Sequence, residues 1–310
     1  LVLAHGYGAG LGYFYRNFEA LAQPGWRVYA IDWLGMGRSA RVKFPARTAK
    51  QTTDEYVDAE DFFVDSLERW RKAQGIDRMM LAGHSMGGYM STVYSLKYPE
   101  RVDRLVLISP VGIPEQPSEE ERADPDATDA ASAISQDRMY DTLPPPRSEF
   151  QRNGGPPRKI PGWVRSVWDN NYTPQWFVRA SGPFGYRLVR FYVNHRMAHL
   201  PEEDRADMHD YTYHISSASG SGEYALSAIL APGAHARRPL RDRLSGLRMP
   251  TTFIYGEIDW MDYRHAVRAQ PTMQVETEVV RIPLGGHNMF LENPEAFDEA
   301  MRAEMRKAEQ

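Results

Sequence analysis

The chain has 310 residues, 42% of them hydrophobic and 25% charged, enough to bury a full core as one large domain carrying an insertion. Its 37 Lys and Arg against 41 Asp and Glu give a formal charge of -4, which lacks the positive surplus that wholesale binding to nucleic-acid phosphates requires. It contains no cysteine, which excludes disulfides, thiol nucleophiles and thiolate metal sites together and fits a reducing compartment.

The chain opens on LVLAHG, already a buried-strand pattern without an initiator Met, so upstream residues and any targeting peptide are expected to lie outside this sequence. No run of about eighteen apolar residues occurs, and any membrane contact is expected to be peripheral. Over the first hundred residues apolar runs alternate with helical periodicities, as a parallel sheet with crossover helices requires. LVLAHGYG reads as a strand entering a glycine loop, and RVYAIDWLGMGRS as a second strand ending at Gly35 and Gly37. In TDEYVDAEDFFVDSLERWRKAQG, Tyr56, Phe63, Leu67 and Trp70 fall near helical spacing and Gly75 supplies a stop. RMMLAG is a strand, GGYMSTVYSLKYP a helix ended by Pro99, and VDRLVLISP another strand. Residues 1–113 thus read as the first part of a doubly wound α/β core with a mostly parallel sheet, entered at its third strand.

An insertion is predicted over 114–236. Its first part, 114–161, is acidic and rich in alanine and proline, and reads as a mobile loop too polar to bury much surface. Its second part, 162–236, crowds Trp163, Trp168, Tyr172, Trp176, Phe177, Phe184, Tyr186, Phe191 and Tyr192 into a helical cap with its own apolar face. Packing of the cap on the core is the simplest use for any one of these rings. The core resumes over 237–310 with the strands MPTTFIYG and VVRIP and a closing helix carrying Phe297, Met301 and Met305 at helical spacing.

Gly83-His84-Ser85-Met86-Gly87 matches the G-x-S-x-G elbow and stands between a strand and a helix, the context the motif needs. Small residues at Gly83 and Gly87 permit the tight turn that lifts the hydroxyl above the sheet, and the helix N-terminus beyond it favours negative charge. A serine hydroxyl needs a histidine to take its proton and an acid to orient that histidine. In chain order these follow as Ser, acid, His. His287, in the glycine-flanked loop after VVRIP, is the candidate base, whereas His265 is read as a surface residue. Asp259, straight after a strand, is preferred as the acid, with Asp262 as the alternative and Glu257 third. Ser109, Pro110 and Val111 offer no carboxylate after the preceding strand. The backbone amides of Met86 and Tyr7 are the expected oxyanion donors, and His5 is read as tying its loop down. Neither cofactor nor metal is expected, since the histidines and carboxylates show no ligand spacing.

HGYGAG, DWLGMGRS, GHSMGGYMSTVYSLKYPERVDRLVLISPVGIP, FIYGEIDWMD and GGHNMF together resemble the lipid-acting branch of the α/β-hydrolase superfamily. That branch includes fungal cardiolipin-specific deacylases and mammalian N-acyl-phospholipid lipases and lipase coactivators. The resemblance covers nearly the whole core but not the acidic insertion. It implies an α/β-hydrolase fold and a phospholipid deacylase acting through Ser85, Asp259 and His287, with cardiolipin at the inner mitochondrial membrane as the leading substrate. Members credited with lysophosphatidic acid acyltransferase activity carry H-x-x-x-x-D at the base, and here Glu292 stands where that Asp is expected. Coactivator members lack the serine, so Ser85 argues against a regulator without catalysis.

The aromatic cap suits acyl chains, and Trp163, Trp168 and Phe177 are expected to line the acyl route. Arg237, Arg238, Arg241 and Arg243 form a basic run that either meets an anionic membrane or is a solvated face. The alternatives to a phospholipid deacylase are a lysophospholipid acyltransferase, a small-molecule carboxylesterase or peptidase, and a non-catalytic lipase regulator. No protein partner is legible.

Overall fold

The computed structural model describes residues 1–44, 53–113, 162–231 and 235–309. The expected mobile loop 114–161 lies outside the described residues. A six-stranded sheet forms the centre, with β1 (Val2–Ala4), β2 (Tyr29–Ile31), β3 (Met79–His84), β4 (Val102–Ile108), β7 (Thr251–Gly256) and β8 (Thr277–Ile282) in the order β2-β1-β3-β4-β7-β8. Every pairing in it is parallel, with Val2 opposite both Tyr29 and Leu81 and Ile108 opposite Ile254. A separate antiparallel pair joins β5 (Leu230–Ala231) to β6 (His235–Ala236).

Parallel sheets covered on both faces read as unbroken apolar runs, and β3 and β7 are buried at every position. Successive side chains point to opposite faces, so each strand feeds two cores. Leu81, Leu105, Leu107, Phe253 and Tyr255 pack on one side with Phe63 and Leu67 of α2 (Thr53–Ala73) and Tyr89 and Val93 of α3 (Met86–Lys97). Met80, Ala82, Val106, Ile108 and Ile254 pack on the other with Phe297, Met301 and Met305, the predicted stripe of the closing helix Pro294–Ala308. Pro294 at the start of that helix has no N–H to leave unsatisfied, and the Asn293 side chain accepts the Ala296 N–H at 3.3 Å.

Between β4 and β5 the described residues include the helices Gly162–Asp169, Pro174–Ala180, Gly185–Arg196 and Glu202–Ser217, followed by the short helix Leu226–Ile229. Thr173 caps the second by accepting the Trp176 N–H at 3.1 Å. In the basic run that follows them, Arg241 is exposed beside Asp242, and the other three arginines are paired elsewhere in the fold. Arg238 and Arg243 both reach Glu60 at 2.8 Å, and Arg237 reaches Asp169 at 2.6 Å. Tyr89 donates a further hydrogen bond of 2.5 Å to Glu60. Partners 178 and 183 residues away turn these arginines into a buttress between the cap and α2.

Candidate active site

Because every sheet pairing is parallel, the loops after β1, β3, β4, β7 and β8 open on the same edge, the edge at which such sheets present their sites. Those loops carry His5 to Gly8, Ser85, Ser109, Asp259 and His287.

Ser85 ends β3 and precedes the first residue of α3 with φ 54° and ψ −116°, a left-handed conformation that side chains rarely adopt. Its N–H is held by Ile108 O at 2.8 Å and its carbonyl by Gly88 N–H at 3.0 Å. The elbow glycines permit this turn through close approach. A Cβ on Gly87 would lie 2.6 Å from His5 O, and one on Gly83 would lie 2.5 Å from the carbonyl carbon of Gly87. Gly6 does the same for the neighbouring loop, since a Cβ there would lie 2.9 Å from both Ser85 Cβ and His84 Nδ1.

Asp259 is fully buried. Its Oδ1 accepts from Met261 N–H at 3.0 Å and lies 3.1 Å from His287 Nδ1, while its Oδ2 accepts the Ser109 hydroxyl. A carboxylate can only accept, so the His287 proton sits on Nδ1 and leaves Nε2 as the basic nitrogen. Among the described residues no hydrogen bond joins Ser85 Oγ to His287, a gap of the kind that closes when substrate binds. The alternative acid, Asp262, is committed elsewhere, with both its oxygens bound by the Arg264 guanidinium at 2.6 to 3.0 Å. Glu257 accepts from Leu284 N–H at 3.2 Å and does not enter the site's hydrogen bonds. His265, expected on the surface, is half-buried in the helix Arg264–Ala269, and burial pushes its pKa down to about 4.

His84 and Ser109 are the residues the sequence did not point to. The His84 ring packs 4.7 Å from that of His287, and the Trp260 ring lies 5.0 Å from His287. Burial, with His287 adding to it, holds His84 well below the usual histidine range. The neutral ring donates from Nε2 to His287 O at 2.9 Å and so fixes the loop that carries the base. Ser109 ends the strand next to β7, and only that adjacency reveals that it steadies Asp259.

The two expected oxyanion donors, Met86 and Tyr7, follow β3 and β1 at this edge. Met86 N–H opens α3 and has no intrahelical acceptor, and the Tyr7 amide makes no backbone hydrogen bond among the described residues. The Tyr7 side chain is fixed in the cap, donating to Gln175 Oε1 at 2.6 Å with its ring edge-on to Trp168 at 6.1 Å. His5 ties the loop below, as expected. Its Nε2 accepts Trp33 N–H at 3.2 Å, so its Nδ1 carries the proton donated to Gly6 O at 2.7 Å. Glu292 lies under the His287 loop, accepting Gly286 N–H, and its carboxyl pKa is raised by burial, with Asp259 adding to the effect.

A small open cleft, with room for about 20 Å³, borders this loop, lined by Tyr7, Gly8, Met36, Arg41, Gln175 and Glu223 among others. None of the three expected acyl-route residues lines it. Trp163 is 70% exposed and Phe177 half-exposed on the outside of the cap, while Trp168 is half-buried, donating to Leu230 O at 2.8 Å. Among the described residues no group of three or more histidine or carboxylate side chains is placed to hold a metal ion, and no helix is long and apolar enough to cross a membrane.

Residues 1–150 match the family described as the alpha/beta hydrolase fold. A protein of Arabidopsis thaliana named 1-acylglycerol-3-phosphate O-acyltransferase is 40% identical over 99% of this chain, which spans 66% of that relative's length. The human (Lyso)-N-acylphosphatidylethanolamine lipase is 31% identical over 96% of this chain and 76% of its own. Among solved structures, a thermophilic esterase from Thermogutta terrifontis superposes with a TM-score of 0.61 at 20% identity, over all of this chain and 90% of the esterase. At that identity the likeness concerns the fold alone.

Proposed function

The chain belongs to the α/β-hydrolase family, among its lipid-acting members, and on that premise we propose that it is a serine acyl hydrolase of glycerophospholipids. The observation that carries the proposal is the Asp259–His287 contact of 3.1 Å, formed from a buried acid at the sheet edge that also bears Ser85.

In this mechanism Ser85 Oγ attacks an ester carbonyl of the lipid while His287 Nε2 takes its proton. The carbonyl oxygen gains negative charge and is met by the amides of Tyr7 and Met86. Collapse breaks the ester bond, His287 returns the proton to the departing lysolipid oxygen, and the acyl group stays on Ser85. Water, deprotonated by His287, then attacks that acyl-serine. The fatty acid leaves as the proton returns to Ser85. Arg41 lines the cleft beside Gly8 and Tyr7 with its guanidinium donating to the carbonyls of Gly35, Gly37 and Ile215, and support for a phospholipid over a neutral ester comes from the names of the relatives instead.

Cardiolipin is the substrate we put first, and with it a place at the mitochondrial inner membrane. The test is fatty-acid release from liposomes of cardiolipin or phosphatidylcholine, and from a soluble short-chain ester, by the intact chain and by Ser85→Ala. Release from cardiolipin that disappears in the variant is expected. Cleavage of the short ester alone would remove the phospholipid assignment, and release that survives in Ser85→Ala would remove the serine. A second reading, acyl transfer from the acyl-serine to a lysophospholipid, is favoured by the name of the Arabidopsis relative and by Glu292 at the His287 loop. Supplying lysophosphatidic acid as acceptor separates the two, because transfer then yields phosphatidic acid in place of free fatty acid.

A further inference from the structure

The cap helix Gly185–Arg196 buries a narrow stripe, Val189 and Val193 followed by Met197, against the core. Beside that stripe the helix carries a second apolar stripe that is exposed among the described residues. Phe191 is 79% exposed, Phe184 just before the helix 63% and Leu188 49%. At about 100° per residue these three fall within about 60° of one another around the axis, so they form one face rather than scattered side chains.

The charge on this part of the cap is one-sided. From 170 to 200 the sequence contains Arg179, Arg187, Arg190 and Arg196 and no Asp or Glu, in a protein whose overall charge is -4; Arg179 is paired with Glu223, and Arg187 and Arg190 are the arginines on this helix's exposed side. Most acids of the cap are on the next helix, with Glu202, Glu203 and Asp204 in its first turn and Asp210 further along, while Asp169 and Glu223 are paired with Arg237 and Arg179. The Arg187 guanidinium lies 5.8 Å from the centre of the Phe184 ring, with its charge at the border of the apolar stripe. An exposed aromatic face edged by arginines is the pattern of a helix that lies in a lipid interface.

We propose that this helix is the surface by which the protein docks on an anionic bilayer. Phe184, Leu188 and Phe191 enter the acyl region, and Arg187 and Arg190 meet lipid phosphates. The proposal rests on the reading that the substrate is a membrane lipid, but it requires no reaction at Ser85. It replaces the basic run at 237–243, where Arg237, Arg238 and Arg243 are engaged with Glu60 and Asp169.

The test is flotation of the full chain with vesicles of phosphatidylcholine alone and of phosphatidylcholine mixed with phosphatidylglycerol. Binding to the mixed vesicles is expected, weakened about ten-fold by Phe191→Ser and further by the triple variant with Phe184→Ser and Leu188→Ser. Arg187→Glu with Arg190→Glu is expected to abolish the preference for anionic vesicles at a loss of about five-fold per charge. Because these side chains are exposed, the variants are expected to fold and to cleave a soluble short ester at the parent rate, and Ser85→Ala is expected to float as the parent does. Parent protein that does not float, or a triple variant that floats unchanged, would overturn the proposal. So would a parent dimer that the triple variant disperses, since the face would then belong to a second copy. A chain that floats as expected but releases no fatty acid would overturn the catalytic reading and leave the docking surface intact.

Discussion

Replacing Asp259 by Asn isolates the charge of the acid from its geometry. Both oxygens of Asp259 accept hydrogen bonds, Oδ1 from Met261 N–H and His287 and Oδ2 from the Ser109 hydroxyl. An asparagine fits the same place in one orientation, with its carbonyl toward Met261 and His287 and its amide toward Ser109, whose hydroxyl turns to accept. What is lost is the attraction between a carboxylate and the imidazolium that forms as His287 takes the Ser85 proton. At the observed 3.1 Å, with an effective dielectric constant of about 20, that attraction is about 5 kcal/mol. Such a loss in the transition state corresponds to about four powers of ten in rate. The assay is kcat/KM on a soluble short-chain ester, together with the rate of fluorophosphonate labelling of Ser85. Asp259→Asn is expected to lose about 10³ to 10⁴ in both while keeping its Tm within a few degrees. Asp262→Asn, which breaks only the pair with Arg264, is expected to retain activity within a factor of a few. Retention of activity within ten-fold by Asp259→Asn, or an equal fall in Asp262→Asn, would refute the assignment of the acid.

The elbow and one buried carboxyl away from the site give two further predictions. Gly83→Ala forces a Cβ against Gly87 and Ser91 and is expected to abolish labelling of Ser85 and cost about 2–3 kcal/mol, measured as a fall in Tm. Gly162→Ala, with open space around it, is the control that leaves both unchanged. Asp298, paired with Asn17 at 2.9 Å, has its carboxyl raised by burial to about 6, so the folded protein holds that proton where the unfolded chain has lost it. Stability therefore falls as pH rises from about 4 to about 6. Asp298→Asn is expected to stabilise by at most about 1–2 kcal/mol above that window, with no gain below pH 4, by denaturant titration across the range. A gain of equal size at every pH would show that ionisation is not its cause.

The core was legible because parallel strands buried on both faces leave short apolar runs, MMLA in β3 and LVLI in β4, bounded by glycine and polar residues. The elbow was legible because close backbone approach admits only glycine at 83 and 87, and the motif records that requirement directly. The cap was legible only as a helical, aromatic segment. Composition does not say which side of a helix meets the core, and in Gly185–Arg196 valines took the buried stripe while Phe191 and Leu188 were left outside. The arginines at 237–243 looked like a free cationic face because Glu60 and Asp169 are far away in the chain and give no local sign of pairing. His265 was misjudged for a similar reason, since a short helix among charged residues reads as exposed until the packing around it is known.

The backbone at Ser85, held at φ 54° by Ile108 on one side and Gly88 on the other, also bears on how this protein responds to engineering. A residue without a Cβ relaxes that conformation, so Ser85→Gly is a substitution that stabilises the fold by removing the nucleophile. A thermostability selection run without an activity screen would therefore accept Ser85→Gly as readily as glycine at Ser109, Asn171 or Leu284, the other described non-glycine residues with positive φ, and so would admit an inert chain.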